Sequence, residues 1–319
     1  MTPRKMILDC DPGHDDAIAI LLAHGSPAVE LLAITTVAGN QTLPKVTRNA
    51  LQVCTVAGIH DVPVAAGCSR PIMRDQITAP MIHGESGLDG PHLPEPSVRL
   101  DPRHAVQLII DVIMSNPPHE VSLVPVGPLT NIATAMRLEP QIVPRVREVV
   151  LMGGSYTRGN FTPAAEFNIL ADPEASAAVF SAEWPVTMVG LDVTHQARAT
   201  EDVVGRIEEI STPLATLVVG WLRFFGSTYK SVEGMVGAPV HDPCAVARVI
   251  DPSIVGTTEA FVAVETQGHW TAGMTVTDFR QTLGKPANTL VATSIDVQGF
   301  WQLVFDAVRR IGTPWRPEE

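Results

Sequence analysis

The chain has 319 residues and a formal charge of −12, from 34 acidic against 22 basic side chains, with 45% hydrophobic residues. That length can bury a large core, and an acidic balance with no Lys/Arg cluster excludes a nucleic-acid polyanion as the partner. No apolar stretch is long enough to cross a bilayer, MTPRKMILDCD has no signal-like hydrophobic region, and Cys10, Cys54, Cys68 and Cys244 form no C-x-x-C pair, so a cytoplasmic protein with reduced thiols, no zinc site and no disulfide framework is expected.

Residues 5–8 (KMIL) read as a short buried strand, and Ala17, Ile18, Ile20, Leu21 and Leu22 recur with helical spacing, which makes Pro12-Gly13 the turn between them. A second strand is predicted at 30–38 (ELLAITTVA), followed by Gly39-Asn40-Gln41 and a helix over 44–57. Further strands follow at 63–66, 121–126, 148–152 and 186–189, alternating with helices near 104–115, 128–137 and 173–182. This alternation predicts an α/β fold, one domain over 1–319, with a mostly parallel, helix-covered central sheet of Rossmann-like type. Ligands of such folds bind beyond the carboxyl ends of the strands. Nearly all the unusual polar residues and glycines fall there: Asp9 to Asp16, Gly39-Asn40, Gly127-Pro128, Gly153-Gly154 and Asp192.

Two stretches without periodicity, 67–100 and 153–171, are long enough to be functional loops. Helices near 201–210 and 213–229 lead to Pro239-Val240-His241-Asp242-Pro243 and a helix over 244–250. Strand-like runs at 260–264, 275–276 and 290–293 and a helix at 297–311 complete the chain.

Asp9, Asp11, Asp15 and Asp16 put four carboxylates within eight residues, with Lys5 the only basic side chain nearby. Helix capping accounts for one of the last two, since anions at a helix N-terminus gain about 0.3 to 1 kcal/mol. It gives no reason for Asp9 and Asp11, whereas a hard divalent cation relieves the mutual repulsion of all four. The spacing excludes an EF-hand: counting from Asp9, the positions that need Gly and Glu hold His14 and Ile20. Six to eight oxygens are needed, so ligands must also come from elsewhere, and Asp242 at a helix entry beside His241 is a candidate. Cys10 lies between two acids, which raise its pKa and make it a poor nucleophile.

The motifs DCDPGHDDAIAI, VAGNQ, HGESGLDG, VPVGPLTNIA, VLMGGS, GNFTPAAEFNILADPEA and PVHDP resemble, in that order, those of the inosine-uridine nucleoside hydrolases over roughly residues 5–250. Within that family the chain looks most like the bacterial pyrimidine-preferring ribonucleoside hydrolases. The resemblance implies Ca2+-dependent hydrolysis of a ribonucleoside to ribose and free base, in a homo-oligomer (a tetramer) without membrane or nucleic-acid partners. It assigns Asp11, Asp16, Asp242 and the main-chain carbonyl of Val126 to calcium, with Asp11 also the general base. Asp15, Asn40, Asn160, Glu166 and Asn168 match ribose-binding positions, Met152 and Phe167 line the sugar pocket, and Asp9 is expected to orient its neighbours from behind. His83 and His241 match histidines near the nucleobase that could protonate it. Tyr229 and Glu233 depart from the pyrimidine-preferring pattern, which has Gln and Tyr there; a purine- or inosine-preferring or nonspecific enzyme is the alternative. Residues 75–90 and 225–238 are expected to form a mobile cover.

These residue types suit the chemistry. Breaking an N-glycosidic bond builds positive charge on the ribose and negative charge on the departing base, so carboxylates beside the sugar and a proton source beside the base are both needed. A phosphatase of the haloacid dehalogenase type also places D-x-D after its first strand, but has Thr or Val where this chain has Gly13. A ribose-binding protein without turnover has no use for a base such as Asp11, and a phosphorylase needs a phosphate-binding Arg or Gly-rich nest that no motif offers.

Overall fold

A computed structural model of the chain describes residues 2–314. The strands are β1 (Arg4–Cys10), β2 (Val29–Thr36), β3 (Val64–Ala66), β4 (Val121–Pro125), β5 (Glu148–Met152), β6 (Val186–Val189), β7 (Arg198–Ala199), β8 (Ala238–Pro239), β9 (Val255–Val264), β10 (Thr275–Asp278) and β11 (Thr289–Ile295). The helices are α1 (His14–Gly25), α2 (Leu43–Ala57), α3 (Pro80–His83), α4 (Ala105–Ser115), α5 (Thr130–Leu138), α6 (Phe167–Ala171), α7 (Pro173–Phe180), α8 (Leu191–Thr194), α9 (Glu201–Glu208), α10 (Pro213–Glu233), α11 (Asp242–Ile250) and α12 (Val297–Ile311), with a 3-10 turn at Pro140–Arg145.

Nine strands form one sheet in the order β10-β9-β11-β6-β5-β4-β1-β2-β3, while β7 and β8 pair apart from it. From β3 across to β11 every pairing is parallel, and β9 and β10 add an antiparallel edge. The chain reverses direction of travel at β1, whose two neighbours are β2 and β4. A crevice opens at such a switch point, beyond the carboxyl ends of the strands, and there β1 delivers Asp11 and β4 delivers Val126.

Alternation along β1 sends Met6, Leu8 and Cys10 to one core and Ile7 to the other. The first core lies under α1, α2, α10, α11 and α12, the second under α4, α5 and α7. Helix α1 is buried nearly all round because it sits between the sheet and α11 and α12, which is why its sequence is apolar on every face. Its start is fixed by Pro12-Gly13 and by Asp16, whose carboxylate accepts from the Gly13 main-chain N–H at 2.9 Å. That is the capping role expected for one acid of the pair.

The structure adds elements to the sequence reading. The stretch 67–100 contains α3, 153–171 ends in α6, and the strand read at 260–264 begins five residues earlier, at Val255. Helix α10 runs to Glu233, one turn beyond 229, and Gly234 stops it at φ 66°. Lys5 does not face the acidic turn: it sits at the opposite end of β1 and pairs with Glu120 at 2.7 Å. No helix among the described residues is long and apolar enough to cross a membrane.

Candidate active site

Beyond the carboxyl ends of β1, β2, β4 and β5 lies a cavity of about 300 Å³, lined by Asp15, Asn40, His83, Val126, Met152, Asn160, Glu166, Phe167, Asn168, Tyr229, Glu233, His241 and Asp242. Asp11 and Asp16 lie beside it, fully buried. The cavity therefore gathers residues from eight separate stretches of sequence.

Its floor is acidic. Asp15, Asp16 and Asp242 each offer a carboxylate oxygen within 4.8 Å of the others. Asp11 stands just outside that trio: Asn40 donates its main-chain N–H to Asp11 Oδ2 at 2.6 Å, and Asp11 Oδ1 is buried with no partner. Gly39 and Gly127 close on the same carboxylate from β2 and β4, and a Cβ on either would run into it. The Asn40 side chain bridges the Asp11 carbonyl and the Asp16 carboxylate, each at 3.2 Å. The Asp11 main-chain N–H donates to Asp16 Oδ1 at 3.0 Å, and His241 donates its main-chain N–H to Asp15 Oδ2 at 3.1 Å, which ties α11 to α1.

Burial is the first cause pushing all four carboxyls above the ordinary range. It takes Asp15 to about 8, and repulsion from Asp16 adds to the rise in Asp11 and Asp15. None of the ion pairs among the described residues reaches them. Four buried acids without a cationic side chain, one of them with an orphaned oxygen, fit a divalent cation by charge and by donor type. The Val126 carbonyl accepts from Asn168 Nδ2 at 2.8 Å and keeps a second lone pair.

Asp9 points to the other face of the sheet. Its Oδ1 accepts from Thr35 at 2.6 Å and Asn131 at 2.7 Å, and burial lifts it to about 7. It buttresses β1, β2 and α5 and hydrogen-bonds none of the other acids. Burial is also the leading cause that raises the Cys10 thiol, with the neighbouring acids adding to it.

One wall is built by α6 and the loop before it. Glu166 caps α6, accepting the main-chain N–H groups of Asn168 at 2.9 Å, Ile169 at 3.1 Å and Gly154 at 2.9 Å, and burial raises it to about 7. Asn168 reaches the Val126 and Met152 carbonyls at 2.8 and 3.2 Å, and Asn160 Oδ1 accepts from the Phe167 N–H at 3.0 Å. These side chains hold one another in place before any ligand arrives.

The opposite wall is aromatic. His241 meets Thr194 Oγ1 through Nδ1 and the Tyr229 hydroxyl through Nε2, both at 2.7 Å. Burial, then His195, keeps the His241 ring well below its usual pKa, and burial likewise lowers His83 and raises Tyr229. Phe225, Thr194 and the apolar rim of Met81, Ile82, Phe161 and Val232 were not singled out from sequence. Phe225 and Val232 lie on α10, whose apolar periodicity reads only as core, whereas Met81, Ile82 and Thr194 lie on the short helices α3 and α8, and Phe161 in the loop before α6, where no periodicity marks them.

A family profile described as inosine-uridine preferring nucleoside hydrolase matches residues 6–302. The inosine-uridine preferring nucleoside hydrolase of Crithidia fasciculata is 56% identical over 98% of this chain and 99% of that protein. The pyrimidine-specific ribonucleoside hydrolase RihB of Escherichia coli is 50% identical over 97% of this chain and 98% of its own length. Among solved structures, a purine-preferring ribonucleoside hydrolase from Gardnerella vaginalis superimposes with a TM-score of 0.90 at 32% identity, covering 97% of this chain and 99% of that one.

Proposed function

This chain belongs to the inosine-uridine preferring nucleoside hydrolases and is a ribonucleoside hydrolase, and we propose that it acts with Ca2+ held by Asp11, Asp16, Asp242 and the Val126 carbonyl. The observation that carries this reading is the convergence of buried, unpaired carboxylates at the floor of a nucleoside-sized cavity. Ca2+ there would supply Lewis-acid polarisation of the attacking water. Asp11 takes the proton of that water: its free Oδ1 has no other partner, and the Asn40 N–H holds the opposite oxygen.

Asp15, Asn40, Asn160, Glu166 and Asn168 bind the ribose hydroxyls, with Met152 and Phe167 against the ring. Glu166 already accepts three main-chain N–H groups, so it has room for about one hydroxyl more. The acids also favour the positive charge that develops on the sugar. On the other side, the contacts Thr194–His241–Tyr229 form a chain that can deliver a proton to the departing base. With His241 donating Nε2–H to the Tyr229 oxygen, the Tyr229 hydroxyl is left to give its proton to the departing base, and the same His241 N–H stabilises the phenolate that remains.

For the base, we read the pocket as accepting uridine and inosine alike rather than pyrimidines only. Tyr229 and Glu233 stand where the pyrimidine-preferring pattern has Gln and Tyr, and the relatives divide between inosine-uridine and pyrimidine-specific names. Reducing-sugar release from uridine, cytidine, inosine and adenosine, with EDTA and after calcium is restored, tests both parts. Turnover indifferent to chelation sinks the cation reading, and turnover of pyrimidines alone sinks the broad specificity. A homotetramer in the cytoplasm is part of the same proposal, the assembly being open to sedimentation analysis.

A further inference from the structure

Asp192 follows the exit of β6 at the start of α8, and none of the steps above uses it. Its carboxylate faces the loop that leaves β5. Oδ2 accepts the Tyr156 main-chain N–H at 2.8 Å, and Oδ1 accepts the hydroxyls of Ser155, at 3.3 Å, and of Thr157. Behind it the two strand exits are already joined: Leu191 donates its main-chain N–H to the Gly154 carbonyl at 2.9 Å, and a Cβ on Gly190 would strike that carbonyl.

Along the loop the supports are unequal. Ser155 is clamped by Thr275, whose hydroxyl accepts the Ser155 N–H at 2.9 Å and donates to its carbonyl at 2.6 Å. From Gly159 to Ala165 the chain closes on itself, with the Gly159 N–H on the Pro163 carbonyl and those of Phe161 and Thr162 on the Ala165 carbonyl. Between these two clamps lie residues 156–158. Among the described residues, every hydrogen bond they make runs to Asp192 or to Ser155 Oγ. That hydroxyl accepts the N–H groups of Thr157 and Arg158 at 3.1 and 3.0 Å and gives its own proton to Asp192, so the carboxylate orients it too. The one further support is apolar, the Tyr156 ring edge-on to Phe279. Helix α8 does not depend on these bonds, since Leu191, Val193 and Thr194 are buried in the fold. Removing the carboxylate therefore frees the loop and not the helix.

Two residues beyond this braced stretch stands Asn160. Its Oδ1 accepts from the Phe167 N–H, its Nδ2 has no partner among the described residues, and it lines the cavity. We propose that Asp192 is a positioning residue: by bracing residues 155–158 against α8 it holds Asn160 ready to meet a ribose hydroxyl before the nucleoside arrives. Asp192 itself does not line the cavity. Because α8 also carries Thr194, which holds His241, the brace refers the sugar-binding loop to the same element that supports the proton-delivering wall. The role of Asn160 rests on the hydrolase reading, but the brace itself does not.

Steady-state kinetics on uridine and on p-nitrophenyl riboside test it, since the second substrate needs no proton for its leaving group. A loop that is competent only about a tenth of the time raises the apparent dissociation constant about tenfold and leaves kcat nearly unchanged, so Asp192→Ala should raise KM by that much on both substrates. On an Asn160→Ala background the same change should add little. Asp192→Asn should restore KM, because the amide oxygen still accepts the Tyr156 N–H and the amide nitrogen can donate to the Thr157 hydroxyl. Thr157→Val removes one bond from the exposed side of the loop and leaves α8 intact, and it should raise KM less, again on both substrates. A loss confined to uridine would mean that Asp192 acts through Thr194 on the base side, and it overturns the proposal, as do additive losses with Asn160→Ala or an unchanged KM in Asp192→Ala and Thr157→Val. Hydrogen exchange reads the brace directly: in Asp192→Ala the amides of 156–160 should exchange faster and those of 191–195 should not, and the opposite pattern overturns it. An enzyme inactive on every nucleoside and riboside would defeat the hydrolase reading, whereas exchange decides the brace regardless.

Discussion

Asp11 is subject to opposed demands. To act as a base it must be ionised, yet full burial and the neighbouring Asp16 both push its carboxyl upward, and only the Asn40 N–H opposes them. A cation shared with Asp16 and Asp242 resolves the conflict in favour of the charged form. Asp11→Ala should therefore lower kcat by about 10² to 10⁴, the span of general-base effects, in rate measurements on uridine at saturating calcium. A variant within threefold of wild type would move the base elsewhere. His241 and Tyr229 are coupled at 2.7 Å, so their losses should not add. Tyr229→Phe and His241→Ala should each slow uridine hydrolysis by about 10² or more, and the double variant should be little worse than the weaker single one. A riboside whose leaving group departs as a stable anion, such as p-nitrophenolate, needs no such proton, and its hydrolysis should be nearly unaffected by all three. Additive losses on uridine would mean two separate roles.

At the scale of elements, the site depends on where three strands stop. The exits of β2 and β4 supply Gly39 and Gly127, and at both positions a Cβ would strike the Asp11 carboxylate. Neither glycine has a positive φ, so what they provide is space and not conformational freedom. Gly39→Ala and Gly127→Ala should keep the helical and strand content by circular dichroism and lose about 10²-fold in kcat, the cost of displacing a reacting group by about an ångström. Full activity in both would show that Asp11 need not be held so closely. Much of this architecture was legible in the sequence: the alternating apolar runs gave β1, β2, β4, β5 and β6, and the strand exits gave the rim. The short elements α3, α6 and α8 were not. Each is four or five residues long, less than two helical turns, and is held by capping and packing from distant segments that local periodicity does not record. The same limit hid Thr194 on α8, whereas Phe225 was hidden on a long helix whose apolar face reads as core, and the orientation of Lys5 is fixed by its pairing with Glu120, far away in sequence.

For the molecule as a whole, the acidic cluster makes stability depend on pH and on the cation together. Asp15 titrates near 8 in the folded chain against 3.8 for its unperturbed value, and Asp11, Asp16 and Asp242 are displaced in the same direction. Between those limits the folded, cation-free protein binds more protons than the unfolded chain, so its stability falls as pH rises from about 4 toward 8. A bound divalent cation reverses the preference by stabilising the ionised carboxylates, and it competes with protons for the same oxygens. Calcium at about 100 times its dissociation constant adds about 2.7 kcal/mol, a rise of several degrees in Tm for a chain of this size. The gap in Tm between calcium-loaded and EDTA-treated protein should therefore be small at pH 5 and widen steadily to pH 8, as measured by scanning calorimetry in matched ionic strength. A gap independent of pH would place the cation away from these four acids. A gap that shrinks with rising pH would mean that the cluster is held ionised by something other than the metal.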